Sequence, residues 1–148
     1  MQIRRASLDD LPHLVPLYDG YRQFYRQPSD PGLAGRFLRE RLTRGDSVIL
    51  LAEDDSGPLG FTQLYPIFSS IGAGPAWVLN DLFVAPGARK GGIGRALLER
   101  ARVHGVATGA RWLSLSTGRS NVTAQRLYES LGWVRDTEYY RYELMLSP

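Results

Sequence analysis

Apolar positions in the first third of the chain recur at helical spacing. Leu11, Leu14, Val15, Tyr18 and Tyr21 fall three or four residues apart and predict one amphipathic helix, and Leu33, Phe37, Leu38 and Leu42 predict a second ending near Arg44. The segment 27–32 (Gln-Pro-Ser-Asp-Pro-Gly) separates them as a break. Ser7, with Asp10 three residues on, has the form of a capping box opening the first helix. Pro12 sits in the first turn, where it is tolerated, and Pro16 lies deeper and is expected to bend or divide the helix. Gln2–Ala6, ahead of the cap, reads as a short strand.

From Ser47 onward the pattern changes to that of strands. Val48–Ala52 is an apolar run, Asp54–Gly57 is turn chemistry, and Gly60–Phe68 is a second strand. A Gly-rich connection, Ser69–Pro75, leads to a third long strand, Trp77–Val84. A helix is expected from near Gly92 to about Thr108, with Ile93, Leu97, Leu98 and Ala101 as its apolar stripe. Trp112–Thr117 then reads as a strand, Val122–Leu131 as a helix and Glu138–Leu146 as a final strand. The order β-αα-βββ-α-β-α-β, with no repeat and no linker, predicts a single α/β domain over residues 1–148.

Composition narrows the function classes. With 148 residues, 43% of them apolar and 22% charged, the chain has the make-up of a soluble globular domain that buries a real core. The lack of cysteine excludes disulfides, cysteine-ligated zinc and thiol nucleophiles. No stretch approaches the roughly 20 apolar residues of a membrane span, so a cytoplasmic protein without a membrane partner is expected. The net charge of +3 comes from scattered arginines and one lysine, Lys90, with no basic run, which argues against nucleic acid as a partner.

The most informative chemistry lies where the third long strand ends. After Ala85-Pro86-Gly87 come Arg89, Lys90, Gly91, Gly92, Ile93, Gly94 and Arg95, leading straight into a helix. Glycines there let backbone approach a ligand closely. The free N–H groups and positive dipole end of a helix start attract anions. The dinucleotide fingerprint is excluded by position, and the nucleoside triphosphate loop by Gly94-Arg95-Ala96, which lacks its Lys-Ser/Thr. Glycines before a helix also make plain turns.

Arg89-x-x-Gly92-x-Gly94, preceded by Leu82-Phe83-Val84-Ala85-Pro86, resembles the first signature of the GNAT family of N-acetyltransferases. Asn121-Val-Thr-Ala-Gln-Arg-Leu-Tyr128-Glu-Ser-Leu-Gly-Trp133 is similar to that family's second signature, in the right order and separation. The resemblance implies a mixed sheet of about six to seven strands flanked by about four helices. It further implies acetyl-coenzyme A as acetyl donor, no metal, and direct transfer to a primary amine of a small molecule or of a protein. A non-catalytic acetyl-coenzyme A sensor or partner module is the alternative. By the same resemblance, backbone groups of Leu82, Phe83 and Val84 would hold the pantetheine arm, and Arg89 to Arg95 the pyrophosphate. Asn121 would help fix the arm, and Tyr128 would protonate the departing sulfur. Asn121 is equally placed to cap the last helix, and Tyr128 to pack in a core.

For amine deprotonation the candidates are Asn80 and Asp81, of which only Asp81 can accept a proton. Asn80–Val84 and Tyr21–Tyr25 look like stretches of small histone and polyamine acetyltransferases. That places Tyr21, Phe24 and Tyr25 along an acceptor groove, or else sealing the helix against the sheet, a role that suits Phe24 slightly better. A polyamine groove calls for carboxylates, and Asp19, Asp30 and Asp81 are the obvious ones. His13 and His104 read as surface helix residues. Family members commonly pair through their last strands, so a homodimer is expected, with Trp133, Tyr139, Tyr140 and Tyr142 supplying apolar area.

Overall fold

The computed structural model describes all residues, 1–148, and divides into two compact units, Met1–Ser116 and Thr117–Pro148. The first holds β1 (Gln2–Arg5), α1 (Leu11–Phe24), α2 (Pro31–Arg44), β2 (Val48–Asp54), β3 (Gly57–Ser69), β4 (Gly74–Val84), α3 (Ile93–Ala107) and β5 (Leu113–Ser114). The strands form one sheet in the order β1-β2-β3-β4-β5, antiparallel as far as β4 and parallel between β4 and β5. The fold class is the expected α/β, with a mixed sheet of five strands rather than six or seven.

The cap at Ser7 forms as expected: the Asp10 carboxylate accepts the Ser7 N–H at 2.8 Å. Arg4 donates to both Asp10 oxygens at 2.7 and 2.9 Å and to Glu53 at 2.7 Å, tying β1 and β2 to the helix entry. Those Arg4 bonds hold the Asp10 carboxyl at about 2, below its ordinary value. α1 is not divided at Pro16. The hydrogen bond that proline removes would go to the carbonyl of Pro12, in the first turn, so little of the helix depends on it.

Side chains alternate across the sheet. Ile49, Leu51, Phe61 and Phe83 meet Leu14, Leu17, Ala34 and Leu38 of α1 and α2 in one core. Leu50 and Leu64, by the same alternation, face the other way, where α3 packs with Leu97, Leu98 and Ala101 buried. A fully buried leucine contributes about 1.5–3 kcal/mol, so these two layers hold the sheet between helices.

One irregularity matters for the site. The β3–β4 register runs Gln63↔Asp81 and then Leu64↔Leu79, leaving Asn80 as an extra residue on β4. Such a bulge bends and twists the strand that carries it. β5, expected over Trp112–Thr117, pairs only through Trp77↔Leu113 and Val78↔Ser114, just before the bulge. Beyond it β4 runs on to Val84 without that neighbour.

The second unit contains α4 (Val122–Ser130), closed by Gly132 at φ 92° and by the Trp133 N–H donating to the Tyr128 carbonyl at 3.1 Å. Glu138–Leu146, expected as the last strand, forms neither strand nor helix. Alternation marks a segment able to be a strand, but a strand needs a partner edge. Here the first backbone donors, of Glu138 and Tyr139, turn to the Asp136 carboxylate. No helix of the chain is long and apolar enough to cross a membrane.

Candidate active site

Two backbone features build one half of the site. The Ala85 N–H bonds inward to the Leu59 carbonyl at 2.8 Å. Alternation along the strand therefore turns the N–H and C=O of Val84 and Leu82 outward, to the open edge of β4. A polar strand edge of this kind accepts an extended ligand as an added strand. Gly60 lets β3 lie close beneath, since a Cβ there would come within 2.7 Å of the Phe83 carbonyl oxygen.

The loop after β4 supplies the second feature. Pro86–Ala88 makes a short 3-10 turn, Lys90 and Gly92 take positive φ (70° and 78°), and α3 starts at Ile93. Arg89, Lys90, Gly91, Gly92 and Arg95 are exposed and Gly94 half-buried around that helix start. Amides at a helix N-terminus, with three cationic side chains on the same loop, suit a polyanion. Arg89 donates its Nε–H to the Val84 carbonyl at 3.0 Å and lies 5.5 Å from the Phe83 ring centre, joining loop to strand edge. The side chains of Ile93 and Phe83 are buried, Phe83 against Gly20, so Ile93 can meet a ligand only through its backbone, while Phe83, whose N–H and C=O turn inward to β3 by the same alternation, offers the open edge no backbone group.

Asp81 stands at the bulge with 1% of its surface exposed. Its carboxylate accepts the Gln63 Nε2–H at 2.7 Å and the Asn80 Nδ2–H at 2.8 Å, and no arginine or lysine pairs with it. Burial raises its pKa above the ordinary carboxylate value, against the opposing pull of the Asn80 and Gln63 hydrogen bonds. The Tyr21 hydroxyl donates to the Asn80 carbonyl at 3.1 Å. Burial, and then the Asp81 charge, push the Tyr21 and Tyr65 phenols well above their usual range. Ser47, Thr62 and Gln63, all buried beside Asp81, carry no sequence motif and were not among the expected residues. A glutamine between Phe61 and Tyr65, on the core face of a central strand, was the one available signal.

The aromatic residues of α1 divide. Tyr18 and Tyr21 stack at 6.2 Å and both meet the Phe61 ring edge-on, so they join helix to sheet. Tyr25 lies 5.1 Å from Tyr21 and is 51% exposed. Phe24, which suited the sealing role, is 58% exposed and seals nothing: it sits on the last helical turn, past the sheet-facing stripe. Asp19 is also not a groove carboxylate. It accepts from Ser29 Oγ at 2.7 Å and the Asp30 N–H at 2.8 Å, bonds that lower its pKa and fasten the α1–α2 turn. Asp30 caps α2 through the Leu33 N–H. His13 is exposed as expected, but His104 is half-buried 4.8 Å from the Trp77 ring, with its pKa lowered by burial.

Within the second unit Asn121 caps α4, accepting the Ala124 N–H at 3.3 Å. Tyr128, half-buried on the same helix, has its ring 6.4 Å from that of Trp133. The structure therefore brings Tyr21, Tyr25, Asn80 and Asp81 together in the first unit, beside the Leu82–Arg95 segment.

Residues 14–133 match the sequence model of the acetyltransferase (GNAT) family. Over 142 residues, 96% of this chain and 95% of the relative, the sequence is 45% identical to YhfO, an uncharacterized N-acetyltransferase of Bacillus subtilis (strain 168). It is 32% identical over 139 residues, 88% of this chain and 90% of the relative, to an uncharacterized N-acetyltransferase of Archaeoglobus fulgidus. A crystal structure of a probable acetyltransferase superposes with a TM-score of 0.94 at 41% identity, covering 100% of this chain and 99% of that one.

Proposed function

The chain belongs to the GNAT family of acetyltransferases, and from that premise we propose that it uses acetyl-coenzyme A to acetylate a primary amine, with Asp81 as the base. The observation that carries this reading is a buried carboxylate without a cationic partner, set at the bulge where the β4 edge opens. An ammonium held near it gains a counter-charge, and a carboxyl of raised pKa is a stronger proton acceptor than an ordinary one.

The Leu82 and Val84 backbone fits an extended amide-bearing arm, and the Arg89–Arg95 loop fits a pyrophosphate. Bound acetyl-coenzyme A supplies an activated thioester. The chain's own residues then have four tasks: to exclude water, to hold the amine, to move its proton, and to protonate the leaving thiolate. An alkylammonium has a pKa near 10, so it must lose a proton before it attacks. Asp81 is sealed, and the Tyr21 hydroxyl, which donates to the neighbouring Asn80 carbonyl at 3.1 Å, would turn to hand the proton inward to the carboxylate. Tyr25 and Phe24 offer exposed ring faces to the alkyl chain of the amine. A backbone N–H near the bulge donates to the carbonyl oxygen as charge develops there. By the likeness of residues 121–133 to the family's second signature, Tyr128 is proposed to give the departing sulfur its proton and Asn121 to help fix the arm.

With Asp19 and Asp30 both used in the α1–α2 turn, Asp81 is the one carboxylate of the three expected that remains at the site. That favours an acceptor with one ammonium over a polyamine. Two copies of the chain are proposed to pair. Calorimetric titration with coenzyme A tests the donor site: binding at micromolar to submillimolar affinity is expected, and no heat of binding at millimolar ligand refutes the reading.

A further inference from the structure

Asp81 does not stand alone under the sheet. Ser47 Oγ–H donates to Gln63 Oε1 at 2.9 Å, and Gln63 Nε2–H donates to Asp81 Oδ2 at 2.7 Å. Gln63 is fully buried and Ser47 nearly so. A primary amide has a donor end and an acceptor end, and which end faces the carboxylate decides whether it stabilises the charged or the neutral form. The ionised carboxylate can only accept, so it draws the donor end toward itself, and Ser47, able to donate or accept, braces the opposite end by donating to Oε1. We propose that Gln63, braced by Ser47, is a positioning residue that aims the Asp81 carboxylate and keeps it ionised where the reaction needs a base. This rests on the reading of Asp81 as the base.

Geometry sets the amide apart from its neighbours. Gln63↔Asp81 is the last register pair before the Asn80 bulge, so both side chains project from the same face. The titratable groups facing Asp81 from the packed elements are Tyr18 and Tyr21 of α1 and Tyr65 of β3. Arg22, Arg41 and Asp46 act on those phenols from beyond. All three phenols are held above their ordinary value and stay neutral through the range in which a carboxyl titrates. Of the two amides at Asp81, Gln63 is the one braced from behind by another side chain.

The test uses Gln63→Leu and Ser47→Ala, with Thr62→Val as a control. Thr62 Oγ1 donates to the Asp81 main-chain carbonyl, not to its carboxylate. Two quantities are read: the pH midpoint of the Asp81 carboxyl by carbon NMR without substrate, and the acidic limb of kcat/KM for acetyl transfer. Losing a hydrogen bond to a charged group moves the midpoint up by about one to two pH units in Gln63→Leu. Ser47→Ala moves it the same way by less, and Thr62→Val lowers Tm without moving it. If Gln63→Leu does not fold, Ser47→Ala alone decides the matter. An NMR midpoint unmoved in a folded variant overturns the proposal. A midpoint that moves while the rate limb does not upholds the role of Gln63 in ionisation and removes Asp81 as the base.

Discussion

Replacing Asp81 by asparagine separates the chemistry of the group from its packing, because the two effects have opposite signs. The side chain keeps its shape and stays enclosed. One donor, from Asn80 or Gln63, still finds an acceptor oxygen, and the other would meet an N–H. Gln63 can answer that conflict by turning end over end, since the Ser47 hydroxyl can switch from donor to acceptor. Packing is then preserved and the base is lost. Turnover should fall roughly 10²- to 10⁴-fold, the usual worth of a positioned base, or about 3–5 kcal/mol of barrier. Stability should move the other way. The folded-state pKa of Asp81 is raised by burial, so its contribution to stability is fully present below the unfolded value near 3.8 and is lost as pH rises through the folded value. Asparagine carries no such charge, and the variant should melt higher than wild type at neutral pH, the gain shrinking toward pH 4. Thermal melts at both pH values, with turnover at neutral pH, give the answer. Near-normal turnover, or a neutral-pH stability loss that does not shrink in acid, refutes the reasoning. Tyr21→Phe should lower turnover in the same assay while leaving the Asp81→Asn rate unchanged, since the hydroxyl acts only through the carboxylate.

Gly92→Ala places a Cβ in open space at φ 78°, so its cost is backbone strain alone, about 1–2 kcal/mol, and coenzyme A affinity should fall with it; Gly87→Ala, equally open and without positive φ, should leave both the melting temperature and the calorimetric affinity near wild type. Tyr128→Phe should reduce turnover about 10²- to 10⁴-fold with coenzyme A affinity nearly unchanged, whereas a packing tyrosine would show a lower Tm and normal turnover. Sedimentation at tens of micromolar protein should find a dimer, and a monomer there counts against pairing.

The parts of the fold that were legible in the sequence are those set by local pattern. The helical stripes of α1, α2 and α3, the cap at Ser7 and the loop at Gly92 follow from spacing and from residues with few alternative uses. What the pattern did not carry was set by pairing between distant segments. The Asn80 bulge arises from the register of β4 on β3, and nothing in Leu79-Asn80-Asp81 taken alone announces it. The early end of β5 and the absence of a strand over Glu138–Leu146 have the same origin, since a strand exists only where an edge receives it. Within the site, the signature residues Arg89–Arg95 and the carboxylate at 81 were visible as residue types. The burial of Asp81 was not, and neither was the Ser47–Gln63 support beneath it, because those contacts join β2, β3 and β4 across the sheet. Asp19 shows the converse: a carboxylate that looked available for a ligand is consumed by the turn it stabilises.

The account stands most directly on acetyl transfer itself. The purified protein would be incubated with acetyl-coenzyme A and a panel of primary amines: alkyl monoamines, polyamines, amino acids, aminoglycosides and a lysine peptide. Mass spectrometry would read the acetylated amine and a thiol assay the released coenzyme A. The account predicts N-acetylated product from at least one single-ammonium acceptor, formed in step with free thiol and lost in Asp81→Asn. Coenzyme A binding with no acetylated amine anywhere in the panel, or product formed equally well by Asp81→Asn, would contradict it.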